Sequence, residues 1–204
     1  MKKRNLSVWR TNPSFIGIYD EAISQEGCDR LISLFEKSDT VPGQCYVNGT
    51  VAIHEDIKKC KEIPRCRFSK GDTISNHIKE FLRDPLEKYR VQYPQLDTWM
   101  DSWICEDSYA FKKFETEEDG FKVWHTEQGK GCCNRILTWH FYLNDATSGT
   151  EFMHYPTVRA KRGRCVIWPA SWTYLHRGVT PNKGVKYIIT GWVGYDYKRQ
   201  GVYE

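Results

Sequence analysis

The stretch VWHTEQGKG (residues 123–131) sets a histidine and a glutamate one residue apart. In an extended chain, positions i and i+2 point to the same face, so His125 and Glu127 look the same way and Thr126 looks the other. An imidazole and a carboxylate side by side are either half of a metal site or a polar strand end. A third donor would decide between them. Of the six histidines (54, 77, 125, 140, 154 and 176), the informative one is His176, which lies 51 positions after His125 in the run YLHRGVTPNKGVKYIITGW.

Two histidines and one carboxylate on one face leave coordination positions open, the arrangement used by non-haem Fe(II) oxygenases. Neither the His-x-Glu pair nor one downstream histidine is specific alone. Lys186 adds the missing weight. It lies ten positions after His176 and opens an apolar strand on which Lys186, Ile188, Thr190 and Trp192 share a face. A lysine on the inward face of a β-rich core is costly unless paired, and a dicarboxylate cosubstrate would pair it. Tyr142, in RILTWHFYLN (135–144), needs a partner for its hydroxyl if it is buried; otherwise it is ordinary core. His140 shares the Tyr142 face, as a pocket wall or as a satisfied core histidine. His54, His77 and His154 are structural or surface residues in this account.

The elements that must hold these groups are legible as two halves. Near the N-terminus, Phe15–Tyr19 is a short strand, and Ser24 caps a helix with the apolar stripe Cys28, Leu31, Ile32 and Phe35. Residues 39–53 carry Pro–Gly and Asn–Gly turn signals. A second helix starts at Asp72 on the stripe Ile74, Ile78, Phe81 and Leu82, and the spacing predicts a break or kink at Pro85. Beyond residue 100, strand candidates follow one another at 102–115, 135–144, 149–155, 163–169 and 185–193. Helices first and many strands after indicate an α+β chain whose second half is a β-sandwich or open barrel. We expect one domain over 1–204, with helix-rich support in 1–100 and a β-rich catalytic core in 101–197.

Bulk properties narrow the function. With 40% hydrophobic and 27% charged residues, the 204-residue chain is globular, not disordered. Thirty basic against 26 acidic residues leave a net charge of +4, too mild to argue for nucleic acid. The basic run RAKRGR (159–164) is read as a solvated turn. No apolar run reaches the roughly 18–20 residues a bilayer span requires. The basic start MKKRNLSVWRTNPS has no apolar segment after it, so we expect a cytoplasmic protein. The eight cysteines lack paired zinc spacings and are expected to be reduced thiols.

The motifs together resemble the 2-oxoglutarate/Fe(II) dioxygenase superfamily, and most closely its prolyl-4-hydroxylase-like branch. The resemblance is carried by FIGIYDEAISQEGCDRLISLFEKS, WHTE, FYLND, SGTEF, RAKRGRCVIWP and HRGVTPNKGVKYIITGW. It implies a double-stranded β-helix (jelly-roll) core with N-terminal helices packed on its outer face. It also implies that His125, Glu127 and His176 bind iron and that Lys186 pairs with the C5 carboxylate of 2-oxoglutarate. Tyr142 and Thr190 match positions that assist there. Two departures stand out: Glu127 replaces the commoner aspartate, and Phe114 stands where relatives often carry a tyrosine. A ligating Glu127 favours hydroxylation over halogenation.

The activity so implied is hydroxylation by O₂ coupled to decarboxylation of 2-oxoglutarate to succinate and CO₂, with ascorbate as a candidate stimulant. The branch suggests a prolyl residue of a protein or peptide as substrate. The alternatives are a free amino acid or small metabolite, and a metal-free jelly-roll binding protein. Oxidative demethylation of nucleic acid is disfavoured by the charge.

Overall fold

Two polar residues set where the long helices begin. Ser24 Oγ accepts from the Gly27 N–H at 3.1 Å, and Asp72 Oδ2 accepts from the Ser75 N–H at 2.7 Å. Caps of this kind contribute about 1 kcal/mol each. The computed structural model describes residues 14–196, apart from 48–49, 65, 70, 100–102, 130 and 180–183. The expected Asn48–Gly49 turn and most of the basic N-terminal run lie outside the described residues.

The first half runs β1 (Gly17–Tyr19), α1 (Gln25–Glu36), β2 (Val41–Pro42), β3 (Cys45–Val47), β4 (Thr50–Ala52), β5 (Lys58–Lys59), β6 (Lys61–Glu62), α2 (Thr73–Gln92) and α3 (Gln95–Trp99). The second half is strands: β7 (Trp103–Phe114), β8 (Gly120–Phe121), β9 (Arg135–Tyr142), β10 (Gly149–Phe152), β11 (Val158–Arg159), β12 (Cys165–Pro169), β13 (His176–Gly178) and β14 (Lys186–Tyr195). Among the described residues, seven strands form one sheet in the order β1-β12-β9-β14-β7-β6-β2, and three form a second in the order β11-β10-β13. The pairings are antiparallel. The chain is α+β with a jelly-roll core.

Of the break or kink expected at Pro85, the break does not occur. Helix α2 runs through it to Gln92. Pro85 is buried on one helical face with Ile78, Leu82 and Tyr89. That packing outweighs the backbone bond to Phe81 that proline cannot make. No helix among the described residues is long and apolar enough to cross a membrane.

The period-2 alternation of the large sheet divides its labour. Tyr109 and Phe111 of β7, Leu137, Trp139 and Phe141 of β9, and Ile189 and Val193 of β14 pack with Cys28, Leu31 and Phe35 of α1 and Ile78, Leu82 and Tyr89 of α2. The intervening residues face the three-stranded sheet, where Phe114, Tyr142, Trp168 and Ile188 meet Phe152 and Val158. The site lies on this second face. Register places Lys186 opposite Phe114, and Thr190 opposite both Ala110 and His140.

Gly191 sits between two site residues, and a Cβ there would overlap the Trp139 ring of the helix-side core. Overpacking of this kind costs typically about 1–3 kcal/mol. Gly191→Ala is therefore expected to lower unfolding free energy by about that amount, read from the urea midpoint at unchanged m-value.

Candidate metal centre and cosubstrate pocket

Residues 123–128 are not the strand that their alternation suggests. His125 makes an isolated bridge with His176 at the start of β13. The two backbones exchange N–H···O bonds of 3.0 Å in each direction. Thr126 turns away and donates its hydroxyl to the Ala170 carbonyl at 2.8 Å.

Each imidazole is anchored by the carbonyl two residues before it. His125 Nδ1 lies 3.1 Å from Val123 O, and His176 Nδ1 lies 3.0 Å from Tyr174 O. A carbonyl only accepts, so both Nδ1 atoms carry the proton and both Nε2 lone pairs are left free. Both point at one oxygen: Glu127 Oε1 is 3.8 Å from His125 Nε2 and 3.3 Å from His176 Nε2. The three donor atoms lie within 4.8 Å of one another, and no other such group of three occurs among the described residues. Phe121 stacks on His125 with centroids 3.6 Å apart. Burial pushes the His125 pKa down to about 3, with His176 adding to the effect. The ring is therefore neutral, as a metal ligand must be. Burial works to raise the Glu127 carboxyl, but the positive charge around it, that of Lys112 included, outweighs burial and holds it below the usual carboxylate range.

The other carboxylate oxygen is held from outside. Trp192 Nε1 donates to Glu127 Oε2 at 2.9 Å. Arg135 Nη1 lies 3.6 Å from the same atom, and its guanidinium stacks 3.6 Å from the Trp192 ring centroid. Glu106 binds the Arg135 Nε through both oxygens at 3.2 Å. Glu127 thus presents one oxygen inward while the other is fixed. Two imidazole nitrogens and one carboxylate oxygen, with the outer atoms of all three residues already bonded, fit a divalent ion such as Fe(II).

A cavity of about 740 Å³ opens from this cluster toward Lys186, walled by Phe114, His140, Thr150, Trp168, Ile188 and Thr190. Lys186 is 2% exposed. Its Nζ donates to the Val179 carbonyl at 2.7 Å and lies 4.7 Å from the Phe114 ring centroid. Among the described residues no carboxylate pairs with it. Burial pushes its pKa down to about 8. Thr190 Oγ1 lies 3.3 Å from His140 Nδ1. Burial, then the charges of Lys112 and Lys186, push His140 well below its ordinary value, so its ring is neutral.

The structure therefore brings together His125, Glu127 and His176, with Lys186 and Thr190 on the same cavity. Tyr142 sits behind that wall. Its hydroxyl is bonded to Thr150 Oγ1 at 2.6 Å and lies 3.5 Å from Val158 O, and Thr150 is the side chain facing the cavity. Residues that the sequence did not single out are Arg135, Thr150 and Lys112. The period-2 rule applied to β7 would have put Lys112 on the Phe114 face. All eight cysteines are free thiols, and Cys132 Sγ lies 3.1 Å from the Glu127 carbonyl.

Residues 110–194, which include His125, Glu127, His176, Lys186 and Thr190, match the model of the 2OG-Fe(II) oxygenase superfamily. This segment belongs to that superfamily. Three solved structures share the fold. A prolyl hydroxylase from Trichoplax adhaerens, in complex with a hypoxia inducible factor oxygen degradation domain peptide fragment, aligns with TM-score 0.68 at 14% identity, covering 98% of this chain and 92% of its own. A Pseudomonas putida prolyl-4-hydroxylase aligns with TM-score 0.65 at 12% identity over 94% and 97%. The viral collagen prolyl hydroxylase of Paramecium Bursaria Chlorella virus-1, in a 2OG complex, gives 0.61 at 16% identity over 90% and 97%. No curated protein matches this chain in sequence.

The Trp192 bond to Glu127 gives a test that leaves the proposed ligands intact. Removing an outer partner of a metal ligand typically costs 10–100-fold in affinity. Trp192→Phe keeps the ring and loses the N–H. Its Mn(II) dissociation constant, measured calorimetrically, is expected to rise by about that factor.

Proposed function

We propose that this chain is an Fe(II)- and 2-oxoglutarate-dependent oxygenase that hydroxylates a prolyl residue of a protein or peptide and, in the same turnover, converts 2-oxoglutarate and O₂ to succinate and CO₂. One oxygen atom enters the substrate C–H bond and the other enters succinate. In this proposal His125, Glu127 and His176 hold Fe(II), and Lys186 binds the cosubstrate C5 carboxylate. The observation that carries the reading is the pairing of a three-donor cluster with a buried, anion-free lysine across one cavity. The fold shared with prolyl hydroxylases, one of them in complex with a peptide, supports a peptide substrate.

Fe(II), when bound, supplies the redox centre that activates O₂. The chain's own residues do the positioning. Val123 and Tyr174 carbonyls lock the two imidazoles in the tautomer that offers Nε2. Trp192 and Arg135 keep Glu127 Oε1 turned inward. Lys186, held by the Val179 carbonyl, fixes the distant end of a dicarboxylate through a charge-assisted hydrogen bond. Phe114, Trp168 and Ile188 give the space between them an apolar wall. The Thr190–His140 and Tyr142–Thr150 pairs stiffen the walls. At Glu127, the longer side chain is accommodated because the residue sits on a bend, not in a ladder.

Incubation with Fe(II), 2-oxoglutarate and a library of proline-containing peptides is expected to give products heavier by one oxygen. His176→Ala should abolish both iron uptake and product, and Glu127→Asp should keep both. A folded His176→Ala protein with full iron content would exclude this ligand set.

The cosubstrate end gives a separate test. Lys186→Ala is expected to raise the 2-oxoglutarate KM by about tenfold to a few hundredfold, the equivalent of a lost charge-assisted hydrogen bond. The pH dependence follows from the lowered lysine pKa of about 8. The cosubstrate needs the ammonium form, which is fully present below that value and lost above it. Affinity should be level below pH 8 and fall about tenfold per unit above it. Succinate formation measured against 2-oxoglutarate from pH 6.5 to 9.5 checks both.

A further inference from the structure

The cavity holds one cation more than iron and 2-oxoglutarate account for. Lys112, on β7, lies opposite Ile188 of β14 and Glu62 of β6 and lines the cavity with His125, Glu127 and Lys186. Among the described residues its ammonium has no hydrogen bond and no ion pair. The carboxylate directly across from it is already engaged. Glu62 takes the Lys58 ammonium on one oxygen at 2.7 Å and the Gln44 N–H on the other at 2.8 Å.

The other lining cations are balanced. Arg67 pairs with Asp107 at 3.1 Å and Arg135 with Glu106 at 3.2 Å. A divalent ion on Glu127 carries one net positive charge and Lys186 a second, and the 2-oxoglutarate dianion offsets both. Lys112 is left over. Its cross-strand neighbour Ile188 lies two residues from Lys186 on the same strand face, and its charge is felt at Glu127, His125, His140 and Lys186. Burial, reinforced by Lys58, pulls its pKa below the ordinary lysine value. An ammonium so enclosed is unfavourable without an anion.

We propose that Lys112 binds a carboxylate of the primary substrate, so that this oxygenase selects acidic substrates. The inference rests on the metal and cosubstrate assignment above. In a peptide the carboxylate is an aspartyl or glutamyl side chain next to the target residue; in a free amino acid it is the α-carboxylate. The Phe114 position lacks a hydroxyl, so Lys112, two residues earlier on the same face, is the polar group that β7 offers at this point of the cavity.

The test uses the full chain loaded with Mn(II) and 2-oxoglutarate without O₂, and calorimetric binding of matched probes. These are N-acetyl Ala-Glu-Pro-Ala amide against its Gln counterpart, N-acetyl Ala-Pro-Asp-Ala amide against its Asn counterpart, and L-proline against L-prolinamide. The carboxylate member of at least one pair should bind about tenfold to a hundredfold more tightly, as expected for one charge-assisted hydrogen bond. The pair that discriminates names the carrier. Lys112→Met should erase the discrimination, and Lys112→Arg should keep part of it. Equal or absent binding of both members in all pairs on the unaltered protein overturns the proposal, with no variant needed. Discrimination that survives in Lys112→Met also overturns it. So does a loss in that variant that falls on 2-oxoglutarate affinity instead, which would assign Lys112 to the cosubstrate. Failure to take up Mn(II) or 2-oxoglutarate before any probe is added shows itself at a separate, earlier step and removes the underlying assignment.

Discussion

Two backbone hydrogen bonds between His125 and His176 tie the site together. They join the loop after β8 to the first residue of β13, across 51 residues of chain. Without that bridge the two imidazoles would belong to unrelated segments. With it, each ring is clamped by a carbonyl two residues upstream, and both Nε2 atoms converge on Glu127 Oε1. The same local device is used twice. Preorganisation of this kind means that little side-chain entropy remains to be lost when a ligand arrives.

The large sheet separates stability from chemistry by alternation. One face of β7, β9 and β14 is sealed by α1 and α2 into the larger apolar core. The other face can then carry groups that a core would not tolerate: Lys186, Lys112, His140 and Thr190. Trp192 links the two roles, since its strand is anchored by the helix-side core while its indole N–H fixes Glu127. Chemistry on this face is confined to side chains whose partners are either built in or must come with a ligand. Lys186 and Lys112 are the two that lack an anion among the described residues.

Much of this was legible in the sequence. The strands of the second half are β-branched and aromatic with clear turn signals, and β7, β9, β12 and β14 fall within the expected runs. Ser24 and Asp72 cap where the spacing places them. Lys186 was visible because a charge at an inward strand position is anomalous. Other features were hidden because they depend on tertiary contact. Pro85 is carried through a helix by packing that no local rule contains. His125 and Glu127 converge through a single bridge and a bend, not a strand. The partner of the Tyr142 hydroxyl, Thr150, comes from a neighbouring sheet. Lys112 acquires meaning only from cross-strand register, which shows that Glu62 is already taken.

The central claim is that one cavity binds Fe(II) at the three-donor cluster and 2-oxoglutarate across to Lys186. The most direct measurement is the visible charge-transfer absorption of 2-oxoglutarate bound to Fe(II), recorded without O₂ during an iron titration of the unaltered chain. The account predicts a band that requires both components and saturates at one iron per chain. Saturable iron uptake with no such band, or a band that needs no protein, would contradict it.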